Sequence, residues 1–535
     1  MRTGHAVAGK AWHSKIRRTL AFAGFTNVVI EGMWSSRTAR YAELPFETTT
    51  TGDKPERLSY IYQGSLRDCS RDLLPPQTYS THYERMKRQL RSPPIHRVPT
   101  EILLTIFEEC LPDVRYRKPS LGDAPLLLTH VCSSWRMLVV QTSHMWTSLC
   151  IDILERRPTP LSIVELWVDR IGELPFDFAF RLDQWPPVPL QLVRQAILIL
   201  NLLANKMSLW RDIQLVLPGS YKLLRSIPID TGVDHLTSLT IDLQDWKEEE
   251  MDALNRIFKS ARSLLKLTWS NRASWSSWDR SFDDFLCKMD ISWGSLTHMV
   301  FDAWICLGDL LYVLNQCKNL VECDLRHFGG GFVTPSDCSK VPRLLLPKLQ
   351  TLSIYQLYLN TGLGSLLDSV QCPNLRSFTA ICGFTDNVPW PQHQLLSFLE
   401  QSACSLNYLS FDYTGISEAE LIECLSFTSH LTQLRISDGR GKIVASEKLL
   451  LALTHNQDRL PLCPNLETLY LELLISAPEG MLADMVDSRN AAQGGGSVKP
   501  IRRLGFTGSH NPTRKQDIQR LKNLVKKNGL AFCVL

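Results

Sequence analysis

The chain has 535 residues, 44% of them hydrophobic and 21% charged, with a formal net charge of +4. That length exceeds what one core needs and predicts about two to four domains. The composition is that of an ordinary globular protein. A balance this mild, with pI ≈ 8.3, gives no reason to expect a nucleic-acid partner, which calls for a concentrated basic stripe. The 15 cysteines include no Cys-x-x-Cys pair, so no structural metal is expected. Cys110, Cys132, Cys323 and Cys424 sit inside apolar runs and read as small buried hydrophobes. Free thiols in such number fit a reducing compartment, cytoplasmic or nuclear. The best apolar span, residues 196–204, has about half the length a bilayer requires, so no membrane partner is expected. No signal-peptide pattern opens the chain. The first 30 residues do carry five basic residues and no acid before Glu31, a pattern that also fits a mitochondrial presequence.

Residues 1–92 read as a poorly ordered leader, Thr-rich at 47–56, with a Pro-Pro pair at 75–76 and a basic helical piece at 83–91. At Pro93-Pro94 the character changes. Val98, Ile102, Leu103, Ile106, Phe107, Cys110 and Leu111 recur at steps that put them on one broad helix face. Pro99 suits the first turn, where its missing N–H costs nothing. Glu101 complements the positive end of the helix dipole, and Pro112 stops the helix. After a polar loop, residues 113–124, a second apolar helix is predicted from Leu127, Leu128, Val131, Trp135, Leu138 and Val139. A short segment comes next, ending in Met145-Trp146 and Leu149.

Periodicity alone gives two or three amphipathic helices with more apolar face than they can cover. The order of residue types is more specific. VPTEILLTIFEECLP, then LLLTHVCSSWRMLV, then HMWTSL resembles the F-box family, with Val98 where Leu is usual and Met145 before Trp146. Both changes preserve apolar bulk. The resemblance covers about 55 residues, 93–150 in domain terms. It implies a three-helix module that binds a Skp-family adaptor, and through it cullin and RING subunits. By that resemblance the adaptor-facing residues are Val98, Pro99, Ile102, Leu103, Ile106, Phe107, Leu111, Val131, Cys132 and Trp135. An exposed apolar patch is also what physics requires of a docking site.

Residues 151–233 read as a linker with one or two degenerate opening repeats. Phe176, Phe178 and Phe180 alternate like a strand, and Trp210-Ile213-Leu215 mimics the frame of the repeats downstream. From 234 to 509 that frame, Leu-x-x-Leu-x-Leu, recurs. It appears at Leu236-Leu239-Ile241, Leu264-Leu267-Trp269, Leu296-Met299-Phe301, Leu320-Cys323-Leu325 and Leu349-Leu352-Ile354. It continues at Leu375-Phe378-Ala380, Leu406-Leu409-Phe411, Leu431-Leu434-Ile436, Leu466-Leu469-Leu471 and Ile501-Leu504-Phe506. The mean period is roughly 29 residues, within the leucine-rich-repeat range. Helical stretches separate the frames, at 252–260, 308–317, 395–402 and 418–427. Cys-Pro-Asn-Leu or Pro-Lys-Leu phrases at Cys372, Cys463 and Pro347 turn the chain into the next strand. The asparagine that comes after the strand in strict repeats is mostly missing. The frames therefore resemble the looser leucine-rich repeats of F-box proteins, and the combination resembles the large fungal, basidiomycete-type F-box family. Residues 510–535 read as a cap. A basic amphipathic helix turns Ile518, Leu521 and Val525 inward, Gly529 closes it, and a last strand spans 531–535.

The expected fold class is thus α/β (α+β overall), a three-helix module followed by a curved solenoid with parallel strands on the concave face and helices outside. Residues alternating with the frame leucines would line that face. They include Asp242, Asp302, Asp324, Arg326, Tyr355, Asp412, Arg435, Tyr470 and Glu472, a mixture suited to a basic or mixed-charge protein segment. No cofactor, metal or catalytic residue is expected. Gly439-Arg440-Gly441-Lys442 runs into Ile443 and lacks the P-loop hydroxyl. Gly329–Gly331 reads as a turn, Asp283-Asp284 as solvated surface, and neither HExxH nor GxSxG occurs. The expected role is a non-catalytic substrate receptor of an SCF-type ubiquitin ligase. A scaffold that binds the adaptor without promoting ubiquitination is the alternative.

Overall fold

The computed structural model describes residues 98–153, 158–182, 188–218, 223–227, 232–244, 248–270, 288–328, 343–356, 362–383, 390–438, 444–456, 460–491, 498–507 and 514–534. The leader at 1–92, Asp283-Asp284, Gly329–Gly331, Gly439–Lys442 and the glycine run at 494–496 lie outside them. Contacts divide the chain into two units, one ending at Trp146 and one beginning at Thr147. Leu149, read as the end of the helical module, therefore belongs to the first strand of the second unit.

In the first unit, α1 (Thr100–Glu109) starts after Pro99, which sits at the N-cap with φ −53° and ψ 143°. It buries Leu103, Ile106 and Phe107. The apolar run read as one helix from Leu127 to Val139 is in fact two, α2 (Leu126–Thr129) and α3 (Ser133–Gln141). Cys132 causes the break. Its backbone is extended (φ −159°, ψ 169°) and its Sγ accepts the Trp135 N–H at 3.5 Å, so it caps α3. The Arg136 Nε donates to the Thr129 carbonyl at 2.8 Å and ties the two pieces together. The Phe107 and Trp135 rings pack 4.6 Å apart. A 3-10 turn, Ser143–Trp146, ends the unit, with the buried Trp146 Nε1 donating to the Val139 carbonyl at 2.9 Å.

The second unit alternates strand and helix. In chain order it contains β1 (Ser148–Asp152), α4 (Leu161–Ile171), β2 (Phe176–Arg181), α5 (Leu190–Ala204), β3 (Trp210–Pro218), β4 (Ser238–Gln244), α6 (Glu248–Ser260) and β5 (Lys266–Ser270). Then come β6 (His298–Ile305), α7 (Leu307–Gln316), β7 (Glu322–Phe328), β8 (Thr351–Gln356), α8 (Gly362–Ser369), β9 (Ser377–Cys382), α9 (Gln392–Ser402) and β10 (Tyr408–Asp412). It closes with α10 (Glu418–Ser426), β11 (Gln433–Ser437), α11 (Glu447–Leu453), β12 (Thr468–Glu472), α12 (Met481–Ala491), β13 (Arg503–Phe506), α13 (Lys515–Asn528) and β14 (Ala531–Val534). Among the described residues these 14 strands form one parallel sheet whose spatial order is their chain order, and four two-residue strands pair into two small sheets beside it. This is a solenoid in which each repeat contacts its neighbours. Segment 151–233 is part of it, supplying the end of β1 and all of β2 and β3, with Phe178 and Phe180 opposite Ile213 and Leu215.

The ten sequence frames fall into register. Leu239 lies opposite Leu267, and the column continues through Met299, Cys323, Leu352, Phe378, Leu409, Leu434, Leu469 and Leu504. Each member is 3% exposed or less. Burying one such leucine contributes about 1.5–3 kcal/mol, and only the neighbouring repeats can bury it. The backbone adds a second periodic device. One carbonyl per repeat accepts two successive N–H groups of the next: Leu265 and Lys266 donate to Thr237 O (2.9 and 3.0 Å), Thr297 and His298 to Leu265 O (2.8 and 3.1 Å). The pattern persists to Arg502 and Arg503 on Glu467 O (2.7 and 3.1 Å). The asparagine of the turn phrase ties the same edge. The Asn374 amide donates to Pro347 O at 2.6 Å, and Asn319 to Gly294 O at 2.7 Å.

At the far end α13 buries Leu521 and Leu524, while Val525, expected inward, is 38% exposed. The buried face is centred between Asp517 and Leu521, and Leu524 lies nearer that centre than Val525 does. Gly529 has φ +67° and closes the helix before β14 pairs with β13. Two buried arginines lock the last repeats. The Arg514 guanidinium bonds Asp517 and the Ile475 carbonyl, both at 2.8 Å. Arg489, fully buried, faces no acid among the described residues. It donates to the carbonyls of Leu453, Cys463 and Pro464, each at 3.0 Å, and burial pushes its pKa down to about 10. The Cys463 and Pro464 carbonyls also accept the Leu466 and Lys499 N–H groups, but the guanidinium joins them to the Leu453 carbonyl through charge-assisted bonds, so Arg489→Met should destabilise the solenoid by about 2–4 kcal/mol, more than its change of volume requires. Urea unfolding checks this; an unchanged midpoint would mean that the carbonyls do not depend on the guanidinium.

Candidate functional site

Two surfaces carry the side chains singled out by the sequence, one on each unit. On the helical unit the ten expected docking residues are not equivalent. Ile102 and Val131 are 44% and 43% exposed, and Pro99 is also exposed. Val98, Cys132 and Trp135 are half-buried. Leu103, Ile106, Phe107 and Leu111 are buried, at 8% exposure or less. Cys132 serves as the cap of α3, and Trp135 packs on Phe107. The sequence reading missed Met137, which is 56% exposed on α3. Its signal was phase: two residues before the buried Val139, it falls on the opposite side of the helix.

On the solenoid all nine expected residues lie on the sheet face opposite the leucine columns. The register sorts the nine into two clusters and one outlier. Asp302, Asp324, Arg326 and Tyr355 meet on β6, β7 and β8. Arg326 lies 3.0 Å from Asp324 and 3.5 Å from Asp302, and stacks over the Tyr355 ring at 5.0 Å. Asp412, Arg435, Tyr470 and Glu472 share β10, β11 and β12, with Arg435 2.7 Å from Glu472. Asp242 stands apart on β4 and is buried at 7% exposure.

These are not the free solvated charges that alternation alone suggests, because cross-strand neighbours neutralise one another. Burial pushes the Asp324 carboxyl up, against the downward pull of its hydrogen bond to Arg326. Burial would lower Arg326, but its bond to Asp324 and the charges of Asp324 and Asp302 outweigh it and raise the guanidinium. Asp412 is raised by burial, with Ser437 and Arg435 pulling it back, and its Oδ1 has no hydrogen-bond partner. Gly505, also missed, sits beside Tyr470 in the register. A Cβ there would overlap the Tyr470 ring, so glycine is what lets that ring lie along the sheet.

Among the described residues no group of three His, Cys, Asp or Glu is placed to hold a metal ion. Burial lifts the Cys317, Cys372 and Cys424 thiols to about 12, which keeps them protonated and poorly nucleophilic. Among the described residues no helix is long and apolar enough to cross a membrane.

No family model matches the chain, and no curated protein matches it. Among solved structures it is similar to the crystal structure of the Rad7 and Elc1 complex in yeast, at 12% identity over 81% of this chain and 94% of that chain. The TM-score is 0.34, a likeness too distant to assign fold or function.

The state of Asp412 is testable by pH. Its folded pKa is raised, so ionisation costs stability, and that cost disappears as pH falls through the folded value. Asp412→Asn should therefore be as stable as the native chain or more so near pH 7, and should lose that advantage near pH 4. Melting temperatures of both proteins at the two pH values decide it; an equal loss at both would make the carboxylate a structural acceptor instead.

Proposed function

We propose that this chain is the substrate-recognition subunit of an SCF-type cullin–RING ubiquitin ligase, an F-box protein with leucine-rich repeats. The observation that carries the reading is the pairing of the F-box motif order with apolar side chains left exposed in the same unit: Ile102 on α1, Val131 in the turn before α3 and Met137 on α3, at 44%, 43% and 56%. Large apolar groups clustered on a small module mark a docking site. Pro99 and Ile102 on α1, with Val131 and Met137 around α3, are the residues we assign to the Skp adaptor. Leu103, Ile106, Phe107 and Leu111 then act mainly by holding the module together. The solenoid would present the substrate on its strand face, through the Asp302–Arg326–Tyr355 and Asp412–Arg435–Glu472 clusters, to a basic or mixed-charge protein segment. No step of bond making is assigned to this chain. It raises the effective concentration of a target lysine near a ubiquitin-loaded enzyme.

Purification of the tagged full-length chain tests both halves. The native protein should bring down a Skp adaptor together with cullin. Ile102→Asp with Val131→Asp should lower adaptor recovery by tenfold or more, about 1.4 kcal/mol or above, without changing the melting temperature. Adaptor without cullin would favour a scaffold, and neither partner would leave only a repeat protein with helices at one end. Charge reversal of Asp302, Asp324 and Asp412 should cost substrate capture but leave the adaptor bound; intact capture would remove the strand face from the account.

A further inference from the structure

The charge of the chain is unevenly placed. Residues 498–535 hold nine Lys and Arg and a single acid, Asp517, a net +8 that leaves residues 1–497 at −4. Asp517 is fully buried and paired with Arg514 at 2.8 Å, so it offers no negative charge to the surface. Some of the basic groups are also spent locally. Arg520 meets Asp484 at 2.6 Å, while Lys499 and Arg502 share Glu467 at 2.7 and 3.4 Å.

What remains is concentrated on α13. Lys515, Lys522 and Lys526 are exposed and make no ion pair among the described residues. Steps of seven and four residues put them on one line along the helix, with Gln519 in the same line, over roughly 16 Å. The opposite side of the helix is buried through Asp517, Leu521 and Leu524.

We infer that α13 is a docking surface for the phosphate backbone of a duplex nucleic acid, bound without reading its sequence. Three features favour that occupant. Protein interfaces are depleted in Lys and centre on aromatic, Met or Arg anchors, whereas this line is made of lysine and amide side chains, with Ile518 and Val525 partly exposed beside it. The leucines are committed to the solenoid core, so the helix has little apolar face to place in a bilayer. Lysines act as point charges toward phosphate, and Gln519 and Asn523 can add hydrogen bonds to phosphate or sugar. The size also fits. A helix about 10–12 Å across matches a major groove about 12 Å wide, and among the described residues no helix comes after α13 to cover it. The whole-chain charge of +4 concealed this surface, because the acidic excess of the first 497 residues offsets it in the total.

The test uses the full-length chain, a fluorescent duplex of random sequence two helical turns long, and anisotropy between about 50 and 200 mM salt. Lys515→Gln/Lys522→Gln/Lys526→Gln should weaken binding at least tenfold at the low-salt end. It should also flatten the slope of log K against log salt by about 2.7, the value for three phosphate contacts. A matched triple on earlier repeats, Lys259→Gln/Lys266→Gln/Lys318→Gln, removes the same charge and should keep native binding. Circular dichroism and melting confirm that both variants fold. The inference is overturned if the native chain does not bind the duplex, or if the α13 triple binds like the native chain. It is equally overturned if both triples lose affinity alike, or if polyglutamate or phosphatidylserine vesicles at matched charge bind more tightly than the duplex.

Discussion

No single strand–helix unit in this chain can bury its own apolar side, and nearly everything else depends on that. Each strand offers two inward positions, and each is closed only by the same positions on the strands before and after it. The shared carbonyl that accepts two N–H groups of the next repeat fixes how far one unit is offset from another. Once that offset is set, the side-chain period of two dictates which residues are inside and which face outward. A slip of one residue would exchange the leucine columns for Asp302, Arg326 and Asp412. The penalty for burying those charges keeps the register single-valued.

The same constraint shapes the strand face. Because strands are parallel and in register, side chains at equal positions on adjacent repeats come within reach, and charges of opposite sign settle against each other. Arg326 between Asp302 and Asp324, resting on Tyr355, is preorganised but internally satisfied. Exposed pairs of this kind contribute little to stability. The proposed substrate segment would have to offer something better than the partner already present, which would favour selectivity over raw affinity. Asp412, with one oxygen unpartnered, departs from that balance.

Much of this architecture was legible in the chain itself. The ten Leu-x-x-Leu-x-Leu frames predicted the inward columns because alternation is a local property, readable without knowing the neighbouring strand. The features that were not legible depend on geometry between segments. Cys132 looked like one more apolar residue, but an extended backbone there makes its sulfur a helix cap and splits the expected helix in two. Val525 and Leu524 are adjacent, and a small error in helix phase exchanged their roles. Pairing of Arg326 with two aspartates on its own and the preceding strand requires the register, which spacing in one strand cannot supply. On the helical unit the apolar spacing placed helical segments where α1 and α3 form. It could not separate Ile102 and Val131, left exposed, from Ile106 and Phe107, which are buried.

The division of labour between an apolar helical unit and a charged repeat surface is best tested by mapping where a partner lands. Native mass spectrometry of the full-length chain with a purified Skp adaptor, followed by amide hydrogen exchange of the complex, reads this directly. A one-to-one complex is expected, with added protection confined to α1, α2 and α3 and the strand face of β6–β12 unchanged. Protection centred on the solenoid, or no complex at all, would contradict that division.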